Sequence, residues 1–475
     1  MVKIIIDSYY IKFINSLNNL EELVKMKQEY NNLFKSLVDA YYKDEFEIFI
    51  KKTLSDPSIN KNELSNIISS FCGVELKYTD NDNYIKDLRN AIKNYKSDHK
   101  IVSKIRDCSI DCADENGQTS CQKSCPFDAI LIDKEKGSSY IQEDLCTDCG
   151  FCVEGCPNGS ILDKVEFIPL ANLLKEKKPV IAAVAPAITG QFGDNITMDQ
   201  LRTAFKRVGF ADMIEVAFFA DMLTLKEACE FNEHVKSKDD LMITSCCCPM
   251  WVGMLKRVYN DMVKYVSPSV SPMIAAGRVI KSLNIDCKVV FIGPCIAKKA
   301  ESKNKDIIGD IDFVLTFAEV KDIFESLNIK PEELPEDPST DYASREGRLY
   351  ARTGGVSISV SEAVAKLFPE KKDLFKSVQA NGVKECKEIL EKAQNGEASA
   401  NFIEGMGCIG GCVGGPKALI PKEKGRDKVN EFAENSNVKI SLESDQMKKI
   451  LSKLGISSAK DFMDEDKMKI FERDF

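Results

Sequence analysis

The run Cys146-Thr147-Asp148-Cys149-Gly150-Phe151-Cys152-Val153-Glu154-Gly155-Cys156-Pro157 constrains this chain more than any other stretch. Its spacing, C-x2-C-x2-C-x3-C-P, suits thiolates wrapped around a cubane [4Fe–4S] cluster, with the fourth cysteine turned toward a second cluster. A partner run lies upstream, Cys108-x3-Cys112-x8-Cys121-x3-Cys125-Pro126. In each half a Cys-Pro pair precedes a short apolar strand, Ala129–Ile132 and Ser160–Leu162, which predicts a pseudo-twofold arrangement. Cysteines paired at short spacing also suit tetrahedral zinc. Three cysteines at x2 intervals, and a Cys-Pro in both halves, favour iron–sulfur.

The whole chain of 475 residues carries 18 cysteines, too many to be incidental. In a reducing compartment such clusters serve as metal ligands rather than disulfides. A net charge of −9 leaves no basic excess for phosphates, so nucleic acid is excluded as the main partner. The apolar run Val2–Ile6 is too short for a signal peptide, and no stretch approaches the ~20 residues that span a bilayer. The expectation is a cytoplasmic protein with no membrane partner. The two histidines, His99 and His234, lie in no motif. Proton chemistry must therefore run without the usual neutral-pH group.

Residues 1–100 show apolar positions at helical spacing (Leu20, Leu23, Val24; Leu33, Leu37, Val38) and predict a small helical domain of unknown role. Its one cysteine, Cys72, reads as a small buried apolar residue. Residues 101–166 hold the two cysteine runs. A linker is expected around Val165–Pro179. Within 167–475, strands are expected at Pro179–Val184, Leu241–Ile243, Ile214–Phe218, Lys288–Ile292 and Phe313–Thr316, alternating with helices such as Ala318–Phe324. That alternation argues for parallel sheets covered by helices. The predicted class is multi-domain α+β: a helical region, a ferredoxin-like module and an α/β domain. Lys330–Asp341 reads as an exposed loop, and Lys422–Phe475 as charged surface helices.

Three more strings carry the remaining cysteine chemistry: Thr244-Ser245-Cys246-Cys247-Cys248-Pro249-Met250-Trp251, Gly293-Pro294-Cys295-Ile296-Ala297-Lys298-Lys299-Ala300-Glu301, and Glu404-Gly405-Met406-Gly407-Cys408-Ile409-Gly410-Gly411-Cys412. Together they resemble the signatures of the iron-only ([FeFe]) hydrogenases, while residues 108–157 resemble a two-cluster bacterial ferredoxin with an insertion in its first run. The resemblance implies two accessory [4Fe–4S] clusters, one on Cys108, Cys112, Cys121 and Cys156, the other on Cys125, Cys146, Cys149 and Cys152. It implies an H-cluster whose cubane is held by Cys248, Cys295, Cys408 and Cys412, with Cys412 bridging to a two-iron unit bearing carbon monoxide, cyanide and a dithiolate.

The same resemblance makes Cys247 the thiol that passes protons at the open iron, and Lys298 a donor to an iron-bound cyanide. Ala185, Pro186 and Met406 would pack around the two-iron unit. Ser267 falls at a hydroxyl relay position, and Glu227 and Glu230 at two relay carboxylates, giving the route solvent, Glu230, Ser267, Glu227, Cys247. At i, i+3 they share a helix face; ordinary exposed glutamates are the alternative. The glycine turn Thr353-Gly354-Gly355-Val356 would let backbone approach a ligand closely. A ferredoxin or flavodoxin would deliver electrons, and maturation machinery would supply the two-iron unit.

Departures from the family pattern are Cys246 in place of serine, Gly293 in place of methionine, and Met273 in place of glutamine. They mark a divergent subgroup with a triple-cysteine string. Gly405-x-Gly407-x-x-Gly410 fits a dinucleotide fingerprint, but no strong strand is expected before it and no long helix after it. The reading is reversible hydrogen oxidation and proton reduction. The rivals are a non-catalytic iron–sulfur assembly factor, or a hydrogen or redox sensor.

Overall fold

In the computed structural model, which describes residues 26–96, 100–244, 247–284, 286–339 and 343–475, the strand–helix alternation resolves into two parallel sheets. His99, Cys246 and the apolar positions Leu20, Leu23 and Val24 lie outside the described residues. The larger sheet has the order Asp212–Glu215, Val180–Val184, Lys288–Gly293, Phe313–Thr316, all parallel. Val184 pairs with Glu215 on one side and Ile292 on the other, so these strands end level. The smaller sheet runs Ser377–Asn381, Phe402–Met406, Met242–Ile243, also parallel. Val180, Val289, Val290, Val314 and Phe402 are buried, the near-continuous apolar run required of a sheet covered on both faces.

Four readings change. The strand expected at Ile214–Phe218 stops at Glu215, and Ala217 opens the 18-residue helix Ala217–His234. That helix is buried from Ala217 to Phe231 and begins with the apolar run Ala217–Ala220, and a short apolar run does not distinguish strand from buried helix. The expected linker contains the helix Phe167–Lys175. A buried strand, Phe402–Met406, does precede the glycine fingerprint, but a four-residue 3-10 turn, Gly411–Gly414, follows in place of a long helix. The last stretch is not purely surface. It includes helices Lys422–Glu434 and Asp445–Lys453, but Phe471 and Arg473 are buried, and the backbone of 471–473 bonds to that of Pro268 and Val270.

The described residues fall into two compact units. One runs to Pro169 and includes Glu325–Asn328; the other comprises Leu170–Phe324 and Ile329–Phe475. In the first, residues 26–42 are helical and are followed by helices Phe46–Leu54, Lys61–Phe71 and Asn81–Lys93. Asn60 and Asp80 cap the last two by accepting from the first free amides, which favours starting there. Cys72 is fully buried, as expected of a small apolar filler. Two antiparallel pairs complete this unit, Ile130–Asp133 with Ser138–Ile141 and Val102–Lys104 with Ile161–Asp163. The chain is thus a multi-domain fold of helices and mainly parallel sheets. Among the described residues no helix is long and apolar enough to cross a membrane.

Candidate functional site

Open α/β sheets gather reactive groups where their strands end. Val184 delivers Ala185 and Pro186, Gly293 delivers Pro294 and Cys295, Ile243 delivers Thr244, and Met406 delivers Gly407 and Cys408. Cys408 and Cys412 are brought onto one turn by Gly410 and Gly411, both at positive φ; a Cβ on Gly411 would lie 2.6 Å from the Thr353 nitrogen. Cys248 caps the helix Pro249–Arg257, and its Sγ accepts from the Gly407 amide at 3.3 Å. Trp251 anchors that helix: fully buried, it donates from Nε1 to the Thr244 carbonyl at 2.8 Å.

Cys247, Cys248, Cys295, Cys408 and Cys412 each keep some accessible surface. Yet burial is the largest reason that Cys247 titrates far above the thiol range, Cys295 at about 11 and Cys412 at about 12. Their charges also act on one another: Cys248 raises Cys247, Cys295 and Cys412, and Cys295 raises Cys412. Such a donor set fits an iron–sulfur group, because crowded neutral thiols become ligands when metal displaces their protons.

Lys298 is the cation that offsets this. Burial lowers its pKa, but Glu301 and the thiols Cys247 and Cys295 outweigh burial and raise it. Its Nζ is held by Glu301 Oε2 at 2.6 Å. Gly293, where the family pattern has methionine, has a physical partner: a Cβ there would lie 2.6 Å from the Phe291 ring, which occupies the space a side chain would need. Met273 is buried in the first turn of the helix Pro272–Leu283. Met406 and Ala185 are buried and Pro186 is half-buried.

Glu227 and Glu230 are only 3% and 5% exposed, which removes the reading of ordinary surface glutamates. Ser267 Oγ donates to Glu230 Oε2 at 2.7 Å, and Thr244 Oγ1 donates to Glu227 Oε2. Burial pushes the Glu227 carboxyl up to about 8 against the Thr244 bond, with the Glu230 charge adding to the rise. The sequence reading sent Glu230 directly to solvent. The structure instead encloses it and pairs its Oε1 with the fully buried Lys226. The amides of the glycine turn are tied into the protein. The Gly354 amide donates to Glu404 Oε1 at 2.8 Å and the Gly355 amide to the Arg352 carbonyl at 3.0 Å, so both are used within the protein.

Sequence reasoning missed four residues here: Thr244, Lys226, Glu404 and Tyr350. Glu404 is fully buried and accepts the Gly354 and Ser357 amides at 2.8 Å each, at the start of the helix Gly355–Leu367. Its signal was legible, since a carboxylate inside an apolar strand needs buried donors. Tyr350 OH lies 2.9 Å from Thr224 Oγ1, and burial, followed by the charge of Glu227, raises it.

In the other unit the two cysteine runs come together in pseudo-symmetric pairs. Cys125 Sγ accepts from the Ala129 amide and Cys156 Sγ from the Ser160 amide, both at 3.3 Å and both four residues on. Cys152 is raised by burial, then by Cys149, Cys146 and Cys125, and also by Cys121 of the other run's expected cluster. Cys149 reaches about 12 for like reasons. Cys108 and Cys121 both lie 3.8 Å from the Ser139 hydroxyl. Cys112 is half-buried, and its carbonyl accepts from Ser120. Among the described residues, no three His, Cys, Asp or Glu side chains converge on a single-ion site.

Fold and site together define an iron–sulfur protein with thiols at the strand ends. Residues 178–416 match the family described as "Iron only hydrogenase large subunit, C-terminal domain", and residues 139–162 match the "4Fe-4S binding domain". The first match covers half of the chain, which therefore belongs to that iron-only hydrogenase family. Iron hydrogenase 1 of Clostridium pasteurianum is 28% identical over 317 residues, 56% of this chain and 55% of that protein, so the chain spans about half its length. Cytosolic iron-sulfur assembly component 3 of Mus musculus is 23% identical over 427 residues, 77% of this chain and 88% of that protein. A solved [FeFe]-hydrogenase variant from Chlamydomonas reinhardtii superposes with a TM-score of 0.53 at 22% identity, over 64% of this chain and 97% of that one, a likeness of fold.

Proposed function

We propose that the chain is an [FeFe]-hydrogenase interconverting protons and electrons with hydrogen, from a subgroup marked by the triple-cysteine string. Cys247 carries the reading. It is a half-buried thiol beside Cys248, under the charges of Cys412 and Lys298, and a scaffold that only holds clusters has no use for it. Cys248, Cys295, Cys408 and Cys412 would hold the H-cluster. When bound, that group supplies the redox centre at which hydrogen forms or splits, through irons carrying carbon monoxide, cyanide and a dithiolate.

The chain's own residues then manage protons and solvent. Cys247 is the thiol placed to hand a proton on at this site, its pKa raised by burial and by the neighbouring Cys412 and Cys248 and lowered by Lys298. Glu227, at about 8, takes up and returns protons near neutral pH, the condition for efficient general acid–base work. Ser267 and Glu230 extend the route outward. Lys298 supports a buried anion as a charge-assisted donor. Ala185, Pro186 and Met406 keep water from the irons, and Gly354 and Gly355 fix the helix start beside Glu404. Residues 101–166 form the two-cluster ferredoxin-like domain and pass electrons from a ferredoxin or flavodoxin to the domain at 167–475. The helical domain at 1–100 has no assigned role. A cytoplasmic setting and dedicated maturation machinery complete the reading.

A second reading is a non-catalytic iron–sulfur assembly factor. The mouse relative supports it, since its alignment covers more of this chain than that of the clostridial hydrogenase. An infrared spectrum of anaerobically matured protein separates the two. Carbon monoxide and cyanide stretches with hydrogen turnover support the hydrogenase. A sample full of cubane iron without those bands is the assembly factor or a sensor.

A further inference from the structure

The proton route through Glu227, Ser267 and Glu230 stops inside the protein. Glu230 is 5% exposed, and Ser267, Ser269 and Lys226 beside it are buried. Around Glu230 the hydrogen bonds form a closed ring. Lys226 Nζ donates to Glu230 Oε1 and, at 3.2 Å, to Ser269 Oγ; Ser269 Oγ lies 2.8 Å from Ser267 Oγ; Ser267 donates back to Glu230 Oε2 at 2.7 Å. Glu472 also touches the ring. Glu472 Oε1 lies 3.2 Å from Lys226 Nζ, and the Glu472 side chain is 32% exposed. It is held there by backbone: Ser269 bridges to Glu472 in antiparallel fashion, Val270 and Arg473 bond across the same pair of segments, and Arg278 Nη1 donates to the Glu472 carbonyl at 2.6 Å.

We infer that Glu472 is the solvent-side terminal of the relay and that Lys226 is the positioning residue joining it to Glu230. This rests on the relay reading of Glu227 and Glu230. A proton taken from water by the Glu472 carboxylate passes to Lys226 Nζ as one of the ammonium's own protons passes to Glu230, directly or through Ser269 and Ser267. One O–H and one N–H break while one N–H and one O–H form, so Lys226 begins and ends as an ammonium and net charge is conserved. The surrounding charges keep that ammonium in place. Burial opposes it, but Glu230 and Glu472 outweigh burial and raise the Lys226 pKa. Arg473 is engaged elsewhere, with Asp306 at 2.9 Å, and Arg278 with Asp310 at 2.8 Å, so neither shields Glu472 from Lys226.

The test follows protons without following hydrogen. At pH 7 the Glu227 carboxyl is protonated and has an infrared carbonyl band that shifts when its hydrogen exchanges for deuterium; Glu227→Gln assigns the band. The full cluster-loaded protein is mixed into heavy water and the band is timed, in the parent, in Glu472→Gln and in Lys226→Gln. Glu472→Gln changes a part-exposed side chain and should leave cluster content intact. It should slow exchange at Glu227 by about tenfold or more, as loss of a positioned proton carrier does. Added formate, a small carboxylic acid buffer, should restore the rate in Glu472→Gln and leave the parent unchanged, which a merely structural role would not produce. Parent-like exchange in Glu472→Gln overturns the assignment, and so does failure of formate to rescue a slowed variant. Absence of carbon monoxide and cyanide bands after maturation would overturn the hydrogenase reading, and the exchange result would still decide the role of Glu472.

Discussion

Replacing Glu227 by Gln tests the buried carboxyl on which the proton route turns. Gln keeps an oxygen for Thr244 and nearly the same volume, so the change removes ionisation more than packing. The carboxyl titrates at about 8 in the fold and ordinarily at 4.5, the value it regains when the chain unfolds. Through that window the unfolded chain gives up a proton that the fold retains. The stability linked to it is therefore complete below the ordinary value and is lost as pH rises to the folded one. At about 1.4 kcal/mol per pH unit, the loss totals about 5 kcal/mol. The assay is urea unfolding of parent and Glu227→Gln, both cluster-loaded and kept anaerobic, from about pH 5 to about pH 9. The parent should weaken relative to the variant up to the folded pKa, and the two should run parallel above it. Parallel curves throughout would refute the burial argument. In matured protein the same variant should lose turnover by about 10²–10⁴-fold, the usual weight of a positioned acid–base group.

Cys247→Ala should abolish hydrogen turnover and leave cubane iron in place, as counted by iron analysis; loss of that iron would make Cys247 a ligand instead. Lys298→Met removes the nearer cation from Glu301, at 2.6 Å, and leaves Arg473 Nη1 at 4.0 Å, in a site where all three are buried. It should cost about 3–5 kcal/mol, read as a lower denaturation midpoint. Gly405→Ala would put a Cβ 2.3 Å from the Trp251 ring. Overpacking of that kind costs about 1–3 kcal/mol, and the Trp251 fluorescence should report the displaced ring; an unchanged midpoint and spectrum would mean the contact relaxes freely.

Much of the chemistry was legible in the order of residues. Cysteine spacing identifies iron–sulfur ligands because a cluster needs several thiolates from a short loop, and loops are local. The same locality made the edge of each parallel strand readable wherever β-branched runs were bounded by Gly or Pro, as at Val180–Val184 and Lys288–Gly293. Where an apolar run belonged to a fully buried helix, as at Ala217–Phe219, period alone could not separate it from a strand. Gly293 looked like a simple loss until Phe291, two residues earlier on the same strand, was found filling its space.

What the sequence by itself determined was the inventory: which thiols exist, at what spacing, and that Glu227 and Glu230 share a helix face. Tertiary structure alone decided how those groups behave. The value of about 8 at Glu227 comes from burial, with a hydroxyl from Thr244, 17 residues away, opposing it. The anchoring of Glu230 depends on Lys226, one turn before it, and the outlet through Glu472 lies 246 residues from Lys226 along the chain. The first pair is local, at i, i+4 on one helix; the second follows from no local pattern. Ionisation is set by the dielectric and charges that surround a group in space, and those are assembled only when distant segments pack.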